Sequence, residues 1–499
     1  MTKEQALERL KAYEMSAFAL SHAKGILHWD AATYAPKNSA RVRPNTVTEL
    51  SRMTYELTTS PEASEMLEVL MKYKDELDPI TARKVSEQYK NYERTKKVPK
   101  DEFSAFQMLL SESSAVWHQA KEENNFAMFE PYLQRVFDAK KKIAGYYDST
   151  KDPYDVCLDI CERGLTCEKC DDFFDRIKSA VVPLIKEINE KGKKIDKSIL
   201  KKPYSIEKQK ELSDFIVDYM CIDKNSFNVS ETEHPFTTGF TKNDVRITVH
   251  YHEDDLMSVV YSHFHEGGHG LYALHTGDEL MYTCLDGGAS MAMHESQSRF
   301  YENMVGRSEE CSKILLKKLK EIFPAEFNGI SDREFYEMAN ATKPSLIRLD
   351  ADELTYSLHI MIRYEIEKLM FDGKITAKDI PEVWNKLYKD YLGIDVPNDK
   401  KGCLQDSHWS DGLIGYFPSY ALGSAYAAQY MREMNKSFDA KKAIANSEVY
   451  KINNWLEEKI WRYGKMYDPV ELFEMVCGKF EPQYFIDYLI GKFKNIYNI

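Results

Sequence analysis

Apolar residues recur every three to four positions over most of the chain, and that spacing predicts helices. Residues 81–147 read as two or three long helices interrupted at ERTKKVPKDEF. Further amphipathic helices are predicted over 205–221, 310–324, 350–371 and 441–463, and the N-terminal MTKEQALERLKAYEMSAFALSHAKG has the same periodicity. Strict alternation is rare. Its clearest instance is DVRITVHYH, which places Val245, Ile247, Val249 and Tyr251 on one side of a strand and Asp244, Arg246, Thr248 and His250 on the other. The polar face of this strand is read as facing a cleft, with the strand at a sheet edge. Pro and Gly are sparse, 17 and 22 in 499 residues, and no Gly/Ser or Pro-rich linker or fixed-period repeat interrupts the pattern. The expectation is one mostly helical body over residues 1–499, with a small sheet and no compelled domain boundary.

Composition narrows the function classes. A net charge of −13 argues against a nucleic-acid or anionic-membrane partner, since both need a basic face. No apolar run approaches the roughly 18 residues that span a bilayer. The charged, amphipathic N-terminus lacks the short apolar segment of a signal peptide. Nine cysteines, an odd number scattered along the chain, read as reduced thiols in a cytoplasmic protein. Cys157, Cys161, Cys167 and Cys170 form the tightest group, but only the last two have CxxC spacing. A structural zinc site there is the weaker reading; Cys157 and Cys161 have the i, i+4 spacing of half-buried helix positions.

The chemistry concentrates in HFHEGGHG, residues 263–270. Seven of the 13 histidines fall between His250 and His294. Asp254 and Asp255 are plausible caps for a helix beginning near Leu256. On it, His265 and His269 project from one face, one turn apart, as two nitrogen ligands of a tetrahedral ion. Glu266 is poorly placed to join the same ligand shell and well placed to hold and deprotonate a water. That is HExxH, the zinc-peptidase signature. Gly267 and Gly268 each cost about 1 kcal/mol relative to Ala inside a helix, so they are expected to admit a closely packed neighbour. His263 points to the opposite side and reads as structural or supporting.

A catalytic zinc needs a third protein ligand and an open position. His275, His294 and Glu295 are the candidates. His275 faces away on a continuing helix, whereas Glu295, in GGASMAMHESQSRFYEN, starts a second helical pattern after the Gly287–Gly288 turn. Spacing favours Glu295, with His294 as its neighbour and a hydrogen-bond partner of the site.

HEGGH followed by HESQSR resembles the carboxypeptidase Taq family of zinc metallocarboxypeptidases. The likeness covers almost the whole chain: ILHWDAATYAP, DPYDVCLDICERGLT, HPFTTGFTKNDVRIT, HEGGHGLY, HESQSR, IRLDADELT, GCLQDSHW and GYFPSY follow in the family's order. It implies a helical cradle of gluzincin type with the metal deep in a central cleft, usually as a homodimer, and removal of C-terminal residues from peptides with broad tolerance. It supports His265, His269 and Glu295 as ligands and Glu266 as the base. Val249 and His250 depart from the family's usual second Thr and basic residue, and CERGLT stands where an acidic-Pro-Gly run is common. Neither departure removes a ligand or the base.

The remaining roles follow from chemistry and motif position. A donor opposite the ion is needed for the oxyanion; His408 and Tyr420 are the first candidates, and Tyr416 is a weaker one. An exopeptidase must bind a free carboxylate, a task suited to the planar fork of Arg. Arg348 is the first candidate, against an i, i+4 ion pair with Asp352, and Arg246 the second, against an ion pair with Asp244. Gln405 and Asp406 are placed to order His408. The ligand set suits Zn²⁺, with Co²⁺ also possible. Two rival readings share the metal site: an endo-oligopeptidase of similar helical fold, and a metal-holding scaffold in which Glu266 would have no task.

Overall fold

The computed structural model describes residues 1–499 and is mostly helical with one small sheet. The long N-terminal pattern forms the helix Lys3–Thr33, opened by a reciprocal cap between Thr2 and Gln5. The 81–147 stretch resolves into three helices, Pro79–Lys97, Lys100–Glu123 and Phe126–Tyr147. The first break falls at Val98, which precedes Pro99 and is therefore held extended. The second falls at Asn124, in the left-handed region. Helices Ile206–Tyr219 and Glu309–Ile322 match expectation closely.

Two predicted helices differ. The 350–371 pattern becomes a short 3₁₀ turn, Arg348–Asp350, and a helix starting only at Tyr356. The reason is Asp352, whose carboxylate accepts from the backbone N–H groups of Leu354 and Thr355 and so builds a turn in place of a helical start. The 441–463 pattern splits into Ala440–Ala445, Tyr450–Lys459 and a 3₁₀ turn Trp461–Tyr463, because Ser447 adopts φ +58°.

The sheet has three strands, β1 (Phe227–Glu231), β2 (Thr237–Thr241) and β3 (Asp244–Val249), in the order β1-β3-β2. β1 runs parallel to β3 and β2 antiparallel to it. The predicted strand is therefore central, not an edge: the parallel return of β1 comes from residues outside the alternating stretch. Val245, Ile247 and Val249 are fully buried, as the alternation requires. β2 supplies the free edge beside the HExxH helix.

A continuous core of 104 buried apolar residues runs from Leu109 to Tyr497, while Ala6, Leu10, Met66, Leu67, Leu70 and Val85 form a separate cluster among the first helices. No helix is long and apolar enough to cross a membrane. All nine cysteines are free thiols, and those between 157 and 170 form no ligand cluster with one another. Burial raises each of these four thiols.

Candidate metal centre

The HExxH motif lies in the helix Leu256–Leu274. Asp255 occupies the N-cap position but makes no capping bond; its carboxylate is held by Lys201 instead. The glycines allow close approach by neighbours. A Cβ on Gly268 would lie 2.5 Å from the carbonyl oxygen of Gln297 and 2.8 Å from Cα of Ser298. The helix Met291–Arg299 can therefore lie directly on the motif, backbone against backbone. Gly267 makes room for Met220 and Gly270 for Phe227.

This packing carries Glu295 to the two histidines. Ligand atoms of His265, His269 and Glu295 all lie within 4.8 Å of one another. Oε2 of Glu295 is 3.8 Å from Nε2 of His265 and 3.4 Å from Nε2 of His269. Every other polar atom of the three is committed elsewhere. Nδ1 of His265 donates to Oε2 of Glu302 at 3.0 Å. Nδ1 of His269 lies 2.8 Å from Nδ1 of His294. Nε of Arg299 donates to Oε1 of Glu295 at 2.7 Å. Two imidazole nitrogens and one carboxylate oxygen are thus left facing one point, a donor set that fits a divalent ion with an open position.

The electrostatics agree with the geometry. Burial alone would raise Glu295 and Glu302, but Arg299 and the histidines overturn this and hold both well below the usual carboxylate range. Glu302 also accepts from Arg299 and Arg307. Burial, reinforced by His269 beside it, pushes His294 down to about 3, so it is neutral and its Nδ1 can accept the proton of His269.

Glu266 is 7% exposed and its carboxylate is held from β2, where Oγ1 of Thr237 donates to Oε2 at 2.6 Å. His263 is buried in the core with Nδ1 on the carbonyl of Val259, and burial pushes it down to about 4. His275 caps the far end of the helix, its Nδ1 on the carbonyl of Leu271, and is absent from the cluster.

The C-terminal motifs form a second group. Nε2 of His408 lies 3.1 Å from the hydroxyl of Tyr420, while its Nδ1 is buried without a partner. Tyr420 sits on the helix Pro418–Met434, which packs against Glu295 through Gly423: a Cβ there would come 2.7 Å from Cγ of Glu295. Arg348 is 6% exposed and pairs with Asp406, not Asp352: its Nε donates to Oδ1 at 2.9 Å. Arg363 donates to Oδ2 of the same carboxylate, and Gln405 accepts from the backbone of Arg348 and from Arg363. Gln405 and Asp406 therefore order the arginines more directly than His408. The Arg348 guanidinium lies 5.1 Å from the Tyr420 ring centre, and its Nη1 reaches the Tyr356 hydroxyl at 3.4 Å. Arg246 stands apart, closed as a fork on both oxygens of Asp244 at 2.7 Å and stacked over Phe240.

Sequence reasoning missed Glu302, Arg299, Thr237, Tyr356 and Gly423. Arg299, four residues after Glu295, was signalled by helical spacing. Glu302, seven residues after Glu295, shares the same face by that spacing and is held there although Phe300–Gly306 is a π-helix.

Residues 9–493 match the family described as carboxypeptidase Taq (M32) metallopeptidase. The chain is 39% identical to carboxypeptidase 1 of Bacillus subtilis, with 96% of each covered. It is 32% identical to thermostable carboxypeptidase 1 of Pyrococcus furiosus, with 98% of this chain and 99% of that one covered. The crystal structure of an M32 carboxypeptidase from Deinococcus radiodurans superposes with a TM-score of 0.96 at 29% identity, over 99% of this chain and all of the other. With this agreement along the full length, and a His-His-Glu cluster where the fold places it, the chain belongs to the carboxypeptidase Taq (M32) family and is a metallocarboxypeptidase.

Proposed function

We propose that His265 and His269, through Nε2, and Glu295, through Oε2, hold one divalent ion, zinc first and cobalt as the alternative, and that the enzyme trims C-terminal residues from peptides with broad tolerance. The convergence of these three atoms, with all their neighbouring polar atoms already committed, carries the reading. When bound, such an ion supplies Lewis-acid activation of water and of the scissile carbonyl.

The chain's own residues do the rest. Glu266, oriented by Thr237 at one oxygen, takes the proton of the attacking water and returns it to the leaving amine. His408 is pushed down to about 4 by burial, so it is neutral at neutral pH. Its unpartnered Nδ1 is better a lone pair than a buried N–H, which assigns the proton to Nε2. The Nε2–H then donates to the Tyr420 oxygen and leaves the Tyr420 O–H free to donate to the developing oxyanion. Arg348, anchored at Nε by Asp406, offers its terminal nitrogens to the substrate carboxylate. Arg246 is the less suited of the two, since its fork is already closed on Asp244.

We treat residues 1–499 as one catalytic unit and place it, with its nine free thiols, in the cytoplasm as a homodimer. The substrate class is tested by incubating the metal-loaded enzyme with one peptide as free acid and as C-terminal amide. The free acid should shorten from one end while the amide stays intact; internal cleavage of both identifies an endopeptidase.

A further inference from the structure

Glu162 is a buried carboxylate that the reaction does not use. It is 1% exposed and follows the helix Pro153–Cys161, in the CERG stretch. It forms no ion pair. The ionisable groups around it are Cys161, Tyr272 and Tyr426, all uncharged at neutral pH because burial raises each. Both of its oxygens are nevertheless satisfied, and by one structure: the N-terminus of the helix that carries Glu295. Oγ of Ser290 donates to Oε1 at 2.7 Å and the backbone N–H of Ala292 donates to Oε2 at 3.1 Å. Ser290 in turn caps the helix by accepting from the N–H of Met293. The segment before it is tightly packed. The N–H of Ala289 donates to the Tyr272 hydroxyl, and a Cβ on Gly288 would lie 2.8 Å from both the His294 ring and the Tyr272 ring.

The helix Met291–Arg299 runs on without a break into the π-helix Phe300–Gly306, so its free end is its start, at Ser290. Gly268 and Gly423 set how closely the neighbouring helices lie against its sides. Trp461 holds its middle by donating to Oε1 of Gln297 at 2.9 Å, and Glu162 holds its start. The same helix carries His294, the partner of His269, and Arg299, the partner of Glu295. A shift at its start therefore moves a candidate ligand and two residues that orient candidate ligands together. Burial pushes Glu162 up to about 7, with Ser290 and Ala292 opposing. The fold thus holds a carboxylate here with no cation beside it, compensated by these two hydrogen bonds at a helix N-terminus.

We propose that Glu162 is a positioning residue for the metal centre: by gripping Ser290 and Ala292 it holds the Glu295 helix in the register that brings Glu295 to His265 and His269. The inference rests on the reading that Glu295 is a metal ligand. It touches neither ion nor substrate.

The test measures zinc affinity by chelator competition, and the visible spectrum of the cobalt-loaded protein, in Glu162→Ala and Glu162→Gln. The amide keeps an acceptor for the Ala292 N–H and a donor for Ser290. Leu67→Ala, in the separate N-terminal cluster, provides a baseline for general destabilisation. Glu162→Ala should weaken zinc binding about ten-fold and alter the cobalt spectrum, beyond anything Leu67→Ala does. Glu162→Gln should recover most of the affinity and the parent spectrum. Parent-like affinity and spectrum in Glu162→Ala would overturn the proposal, as would losses in either variant that merely follow the fall in thermal midpoint. Glu295→Ala separates the two layers: if it keeps zinc, the ligand assignment has failed; if it loses zinc while Glu162→Ala does not, only the positioning role has.

Discussion

Gly423 faces Glu295 so closely that a Cβ at 423 would meet Cγ, Cβ and the backbone carbon of residue 295, all within 2.9 Å. The helix Pro418–Met434 thus presses on the carboxylate helix at its candidate ligand. Ala is the better helix former by about 1 kcal/mol, so helix propensity alone predicts that Gly423→Ala raises the thermal midpoint. The contact predicts the reverse. Forcing a methyl into a filled interface costs roughly 1–3 kcal/mol, and the strain falls on Glu295. The variant should melt lower and bind zinc more weakly; differential scanning calorimetry with and without metal reads both.

Glu302 orients His265 and shares Arg299 with Glu295. Glu302→Gln leaves the ligand atoms in place but removes the charge that fixes the His265 tautomer. Partners of this kind contribute about 10–100-fold to metal affinity. A loss in that range is expected from chelator competition, with far-ultraviolet circular dichroism unchanged.

The site was legible where chemistry and spacing coincide. His265, Glu266 and His269 stand within one helical turn and a half, and the unfavourable glycines announced a close neighbour. His275 lies outside the cluster as its spacing from His269 predicts, although the helix ends at Leu274 and does not continue through it. Less was legible where position depends on irregular backbone. The Asp352 turn hid both the late start of the Tyr356 helix and the pairing of Arg348 with Asp406. The same holds for the sheet. Alternation exposed β3, but whether it was central or an edge depended on β1, whose five residues carry no comparable signal.

The group around Arg348 makes acid stability a two-stage property. Burial pushes His408 down to about 4, so between the unfolded value near 6.5 and 4 the unfolded chain binds the extra proton and stability falls as pH falls. Asp406 adds a second stage. Burial alone would raise it, but Arg363 and Arg348 hold it well below the usual carboxylate range. Its stabilising share is therefore present above about 4 and is lost as pH drops further. Denaturant titrations from pH 8 to 3 should show a decline beginning near 6.5 that steepens below 4. His408→Gln should make the first stage shallower by one proton's share, the buried His263 and His294 supplying the rest of it, and keep the second.

The most direct measurement is anomalous diffraction at the zinc edge from crystals of the zinc-loaded enzyme. One peak is expected, about 2.0–2.2 Å from Nε2 of His265, Nε2 of His269 and a carboxylate oxygen of Glu295. A peak elsewhere, or ordered zinc that leaves any one of these three side chains uncoordinated, would contradict the account.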